Sequence, residues 1–294
     1  MICPVCQTTT KYYFSCKDHL VSGKLFSIQK CPFCGFAFTE NPPSPDEIGA
    51  YYQAEEYLSH ATSRKGLIPL LYHLARKEMI RYKRKLIEKQ SGLTKGQLLD
   101  IGCGTGQFLH SLQEKGWQVL GIEPDPGARE YASRHFSLQV KNRQSLEELP
   151  EEGKKFDVIT LWHSLEHIHD LKGTVQQIKK LLRPQGLLVV ALPNRTSYDA
   201  SLYGKDWAAW DVPRHLWHFS EYSAQKFFQD QGLVIKKIQS MPLDAFYISL
   251  LTHRNKKEPL ALLKGIRTGI YGWWLSREKM EASSSLIYFM TARK

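Results

Sequence analysis

The chain has no stretch of ~18–20 apolar residues, the length a helix needs to cross a bilayer. Its longest apolar runs are short, such as LLVVAL (187–192), so no transmembrane segment is expected. The start, MICPVC, lacks an apolar segment behind a basic one. No secretory leader is therefore expected, and the cytosol is the expected compartment. There, six cysteines are reduced thiols or metal ligands rather than disulfides. Blocks of like charge are also missing. Forty Lys and Arg against 29 Asp and Glu give a net charge of +11, but the basic residues are spread along the chain. That pattern suits a solvated basic surface as well as one that meets RNA or an anionic membrane. With 42% hydrophobic and 23% charged residues, disorder is excluded and a sizeable core is within reach.

What is present begins with cysteine. Cys3-Pro-Val-Cys6 and Cys31-Pro-Phe-Cys34 are two CxxC turns within the first 35 residues. Each turn aims two thiolates at one point, and four thiolates satisfy a tetrahedral Zn²⁺. KYYF (11–14) and KLFSIQK (24–30) read as the strands of a hairpin between them. Cys16 and His19 form a rival ligand pair that could join Cys3 and Cys6. The symmetric set Cys3, Cys6, Cys31 and Cys34 is preferred, as a closed structural site. Residues 1–40 are thus read as a zinc ribbon. NPPSPDE (41–47) breaks the pattern with three prolines, and residues 41–95 read as a helical linker or cap with a basic helix at about 76–90.

From residue 97 the texture changes. QLLDIGCGTGQFLHSLQEKGWQVLGIEPDP (97–126) reads as strand, glycine turn, helix, strand. Gly102, Gly104 and Gly106 let the backbone bend sharply and approach a ligand. A dinucleotide fingerprint would need a third glycine at 107, where Gln107 stands. The acidic residue that ends the next strand, Glu123, can accept from both ribose hydroxyls of a nucleoside.

LLDIGCGTG (98–106) with Glu123 resembles the cofactor motif of class I S-adenosylmethionine-dependent methyltransferases. FDVITLWHSLEHIHD (156–170) and LLRPQGLLVVALPN (181–194) resemble the fourth- and fifth-strand motifs of the same family. The front ribbon, YYQAEEYLSH (51–60) and RHLWHFS (214–220) match a subgroup in which a zinc ribbon precedes the methyltransferase domain. The resemblance implies an α/β, Rossmann-like seven-stranded sheet over 96–294, with S-adenosylmethionine as cofactor. It also implies a cofactor site built from Asp100, Gly102, Cys103, Gly104, Gly106, Glu123, Trp162 and His163. The usual acidic adenine partner after the third strand is not evident, and Asn142, Gln144 or Ser145 stand nearby.

DVPRHLWHFSE (211–221) follows the fifth strand, with Ser220 as an N-cap and Gly232 as the stop of the helix behind it. Ligands of open α/β sheets bind beyond the carboxyl ends of the strands, so this loop is expected over the methyl donor. A hydroxyl or carbon-acid acceptor must lose a proton, and histidine suits that task. His215 is the candidate general base, with His218 and His163 as alternatives. Trp210 and Trp217 are expected to wall the acceptor, and Arg214 to bind an acidic group on it. Related zinc-bearing sugar C-methyltransferases carry an acidic residue where Arg214 stands here. LVIKKIQSM (233–241) and SSLIYFMTARK (284–294) read as a final antiparallel pair. The insertion between them, about 242–283, is apolar and basic together. It reads as a lid, as a helix lying on an anionic membrane, or as a packed helical pair.

Three functions follow. The first is a methyltransferase for a small-molecule acceptor (sugar, quinone or isoprenoid, or lipid-linked) forming an O- or C-methyl product. The second is an RNA methyltransferase using the ribbon and the basic surface. The third is a catalytically silent cofactor-binding scaffold. The chain has no NPPY-type motif for a flipped adenine, which favours the first over the second. The intact glycine loop and Glu123 favour it over the third.

Overall fold

Leu98, Leu99 and Ile101 are all buried although a strand sends them to opposite faces. A strand hidden on both faces belongs in the middle of a sheet covered by helices on each side. The computed structural model, which describes residues 1–52 and 67–293, builds that sheet. Most of YYQAEEYLSH and part of the expected cap lie outside the described residues.

Three short strands come first: β1 (Lys11–Lys17), β2 (Leu25–Lys30) and β3 (Ala37–Thr39). The large sheet uses β4 (Gln97–Ile101), β5 (Gln118–Ile122), β6 (Val140–Lys141), β7 (Phe156–Trp162), β8 (Leu182–Pro193), β10 (Leu233–Ser240) and β11 (Ser285–Ala292). Its order is β10-β11-β8-β7-β4-β5-β6. The strands from β8 to β6 run parallel, while β11 is antiparallel to both β8 and β10. The expected seven-stranded sheet and its closing antiparallel pair are therefore present.

The chain leaves β4 towards β5 and β6, then returns to β7 on the other side of β4. Strand order reverses there, and the crevice at such a point is where α/β sheets hold ligands. One face of the sheet packs Leu99, Ile101, Ile159, Leu161, Val190 and Phe227 into a core. The other packs Leu98, Val158, Val189, Phe289 and the helix Gln107–Gln113.

The front hairpin is joined to the rest of the chain. A two-residue strand from the loop beyond β8, β9 (Trp217–His218), pairs antiparallel with β3 and makes the small sheet four-stranded, β1-β2-β3-β9. Cys3, Cys31, Cys34, Phe36 and Phe38 share the core on the first face of the large sheet. Aromatic side chains fill the seam, with Phe36 edge-on to Phe219 and tilted against Trp217.

The insertion is a pair of helices, Asp244–Asn255 and Ala261–Glu278. Gly265 and Gly269 lie tight against Leu250 and Phe246 of the preceding helix. A Cβ at either glycine would collide, so these positions set a close approach. The packing turns Leu263, Ile266, Ile270 and Trp274 outward. Among the described residues no helix is long and apolar enough to cross a membrane.

Candidate active site

The turn after β4 is built by backbone that only glycine adopts cheaply. Gly102, Gly104 and Gly106 have φ of 80°, 53° and 77°. Each differs in what surrounds it. A Cβ at Gly102 would overlap Ser164, whose hydroxyl donates to the Ile101 carbonyl at 2.6 Å. A Cβ at Gly106 would press into Leu138 and Ala132. At Gly104 it would meet none of the described residues within 4 Å. Gly102 and Gly106 therefore hold the turn to the body, and Gly104 is uncrowded by them. Cys103 places its sulfur close against Gly121.

Glu123 ends β5 facing this turn. Its Oε2 accepts from the Gly104 N–H at 2.8 Å and its Oε1 from the Asp125 N–H at 3.0 Å. A carboxylate has about four acceptor positions, so two remain for hydroxyl groups. Burial raises its pKa, while these two N–H groups lower it. Asp100 is more deeply placed. It accepts from the Thr160 hydroxyl at 2.6 Å, and burial pushes its pKa up to about 6. Lys83, from the helix Leu67–Ser91, lies 4.5 Å above the Trp162 ring and within electrostatic reach of Asp100 and Asp244. Trp162 is buried, edge-on to Phe108. Asn142 and Gln144 are exposed just past β6.

The histidines separate into three kinds. His163 follows β7 at φ 54°, with Nε2 2.9 Å from Asp244 and Nδ1 3.4 Å from Glu166. Burial lowers its pKa, but the two carboxylates outweigh burial and raise it to about 9. A ring held protonated at neutral pH cannot accept a proton, which argues against a base role there. His218 is buried in β9 with Nε2 3.0 Å from the Thr39 hydroxyl and its ring against Trp210. Burial holds it well below its ordinary value, as a neutral structural group away from the crevice.

His215 belongs with His167 and Glu166. The two rings meet edge to face at 4.6 Å. One ligating atom from each of the three residues lies within 4.8 Å of the others. His215 Nδ1 faces the Ala209 carbonyl at 2.8 Å. A carbonyl only accepts, so Nδ1 carries the proton and Nε2 the lone pair. His167 is placed alike, with Nδ1 3.1 Å from the Arg214 carbonyl and 2.9 Å from the Tyr52 hydroxyl. Burial, then the neighbouring His215, lowers the His167 pKa to about 4. The Tyr52 phenol is raised by burial and, to a smaller extent, by the carboxylates of Asp211, Glu166 and Glu123.

Three expected acceptor contacts are corrected. The Arg214 guanidinium is fully buried, 2.7 Å from Asp211 and 3.1 Å from Asp18, with a further bond to the Tyr51 carbonyl. It ties the loop to the front hairpin and has no face for a substrate. Trp210 packs into Phe14 and Trp207 and donates to the Gly204 carbonyl. Trp217 donates to the Ile168 carbonyl and packs on Phe36 and Phe38. Both indoles fasten the hairpin; Trp210 also lines a small cavity there with Cys16, His19 and Trp207, away from Trp217. Residue types at close spacing could not show which of them face inward across the seam.

The four cysteines of the two CxxC turns converge. Sulfur separations are 3.5 Å for Cys3–Cys34 and 3.4 Å for Cys6–Cys31 and Cys6–Cys34. A tetrahedron with 2.3 Å bonds has edges of about 3.8 Å, so the donor set fits Zn²⁺. Cys16 lies elsewhere, buried beside Trp207, with its thiol pushed up to about 12 by burial. The rival set with His19 is not assembled.

Sequence reasoning missed Glu166, His167, Asp244, Lys83, Ser164 and Tyr52. Glu166, His167 and Ser164 stood within the quoted fourth-strand stretch, where an acidic residue beside a histidine was the available signal. Lys83 and Asp244 carried none, because each is brought in by a separate helix.

A methyltransferase-domain family model matches residues 73–238, over half the chain. A ubiquinone biosynthesis O-methyltransferase from Azorhizobium caulinodans is 31% identical over 129 residues, covering 41% of this chain and 51% of the relative. Another of that name from Actinobacillus pleuropneumoniae is 30% identical over 146 residues, 46% of this chain and 62% of the relative. The chain thus spans half to two-thirds of the length of these relatives. Among solved structures, the magnesium protoporphyrin IX methyltransferase of Synechocystis aligns with a TM-score of 0.51 at 12% identity, covering 83% of this chain and 97% of that one. A [4+2]-cyclase, SpnF, aligns with a TM-score of 0.51 at 18% identity over 72% and 81%. Likeness at that identity concerns the fold alone.

Proposed function

The chain belongs to the class I S-adenosylmethionine-dependent methyltransferases, and from that premise we propose that it methylates a hydroxyl of a small-molecule acceptor. S-adenosylmethionine supplies an electrophilic methyl group on a sulfonium. The residues that would hold it are the Gly102–Gly106 turn, Glu123 at the ribose, and Asp100 near its cationic end. The observation that carries the reading is the Gly104–Glu123 hydrogen bond at 2.8 Å, at a glycine that no described residue crowds, with the histidine cluster on segments that follow β7 and β8 at the same end of the parallel sheet.

His215 is the residue that accepts the acceptor's proton, at Nε2. Its Nδ1–H is fixed on the Ala209 carbonyl, which sets both tautomer and ring direction. Tyr52 and His167 line the same space. The names of the relatives support a hydroxyl acceptor of quinone-precursor type and give no support to RNA. The exposed face of the helix Ala261–Glu278, with Leu263, Ile270, Trp273 and Trp274, supports an acceptor carried at a lipid surface. Cys3, Cys6, Cys31 and Cys34 would hold a structural Zn²⁺ that keeps β3, and so the paired β9, in place.

Labelled methyl transfer into whole-cell extract, fractionated into lipid, small molecule, protein and RNA, tests the acceptor class. Label in the lipid or small-molecule fraction is expected. Label confined to RNA or protein would overturn the proposal.

A further inference from the structure

Glu166 is a buried carboxylate short of hydrogen-bond donors. It is fully buried, and its Oε2 has no hydrogen-bond partner. Its Oε1 has only His163 Nδ1 at 3.4 Å, outside hydrogen-bond geometry. A buried carboxylate costs several kcal/mol unless a cation and donors answer it. The one cation beside it among the described residues is the His163 ring, which sits 3.4 Å from Oε1, is shared with Asp244 at 2.9 Å, and leaves Oε2 unanswered.

His167 and His215 stand on the other sides of the same space. Each ring gives its Nδ1–H to a backbone carbonyl, Arg214 and Ala209 respectively. Metal-binding imidazoles are commonly oriented in this way, with one nitrogen fixed on a carbonyl and the other presenting its lone pair. Three donors, two nitrogen and one oxygen, lie within 4.8 Å of one another. They come from two distant segments, the turn Leu165–His167 and the loop that the front hairpin holds.

We propose that Glu166, His167 and His215 bind a divalent first-row transition cation, with its remaining coordination positions open to the acceptor oxygen. Two imidazoles and a carboxylate suit Zn²⁺, Fe²⁺, Co²⁺ or Mn²⁺, and two nitrogen donors disfavour Mg²⁺ and Ca²⁺. Three protein ligands leave room for a further one, unlike the closed cysteine site. The inference rests on the methyltransferase reading only for what occupies the open position. Both this role and the proton-accepting role proposed above use His215 Nε2, so they exclude each other: a bound cation would replace the base, acidifying a hydroxyl whose proton would then pass to water.

The test titrates Co²⁺ into whole protein already carrying one Zn²⁺ on its cysteines. One further equivalent is expected, with weak visible bands and no intense sulfur-to-cobalt absorption in the near ultraviolet. Glu166→Gln and His167→Ala are expected to weaken that uptake at least tenfold while retaining the Zn²⁺. His167→Ala, at a half-buried position, keeps the test open if Glu166→Gln fails to fold. No cobalt uptake by the wild type, or uptake unchanged in a folded variant, would overturn the proposal. Calorimetry with S-adenosylmethionine on the same samples separates the two readings. Loss of cofactor binding by the wild type defeats the methyltransferase reading and leaves cobalt stoichiometry to decide this one.

Discussion

Two glycines two positions apart do different work, and substitution separates them. Alanine at Gly104 keeps a left-handed backbone at a cost of about 1–2 kcal/mol but meets no atom of the described residues. Gly104→Ala is expected to fold, with cofactor affinity reduced tenfold or more by calorimetry. Gly102→Ala adds a collision with Ser164 to the same strain, so its loss should be read first as a lower melting temperature. At the histidine cluster, His215→Ala is expected to reduce turnover by about 10²–10⁴-fold with cofactor affinity almost unchanged. An active variant would remove His215 from the mechanism. Asp100 gives a pH signature. Its pKa in the fold, about 6, exceeds its unfolded value because of burial. The apo fold therefore holds a proton that the unfolded chain does not between roughly pH 4 and 6, so this group favours the fold as pH falls through that window. A cationic cofactor beside the carboxyl lowers its pKa again. Binding near pH 6 should release a proton and tighten as pH rises, measured by calorimetry in buffers of different ionisation enthalpy.

The helix Ala261–Glu278 shows how a small-residue seam decides what a helix presents. Gly265, Gly269 and Gly272 are its buried positions. With the glycines inward, the bulky apolar residues have no place but outside, where Trp273 and Trp274 remain 38% and 48% exposed. Arg277 lies 4.5 Å over the Trp273 ring, and Lys264 and Arg267 flank the face. If this face meets an anionic bilayer, Trp273→Ser with Trp274→Ser should reduce binding to vesicles containing phosphatidylserine at least tenfold while leaving the melting temperature within a few degrees. Equal binding by wild type and variant in sedimentation would show that the face meets something else. The sequence showed that this insertion is apolar and basic together, and it left lid, interfacial helix and packed pair undecided. Amphipathic pattern alone could not say which side the glycines would claim, because that depends on Leu250 and Phe246 of the neighbouring helix.

At the scale of the molecule, the front hairpin and the loop 211–221 are joined in one sheet. β9 begins two residues after His215, and the His215 carbonyl accepts from the Thr39 hydroxyl at 2.7 Å. The buried Asp18–Arg214 pair crosses the same junction. Removing one partner of such a pair costs about 3–5 kcal/mol. If the four cysteines hold Zn²⁺ as proposed, chelating it should abolish turnover while cofactor affinity, set by the turns after β4 and β5, persists. Turnover that survives complete loss of that metal would uncouple the hairpin from the loop. Local pattern was enough for the large sheet, the glycine turn, Glu123 and the paired CxxC turns. Each depends on residues near in sequence: apolar runs that need two covered faces, backbone that needs glycine, thiolates that need tight turns. The fate of the loop 211–221 was decided only by tertiary contact. Arg214, Trp217 and His218 face a hairpin some 180 residues upstream, whereas His215, between them, turns the other way to Glu166 and His167. Which face of a short irregular loop meets which partner is fixed by long-range burial and ion pairing, and no local period encodes it.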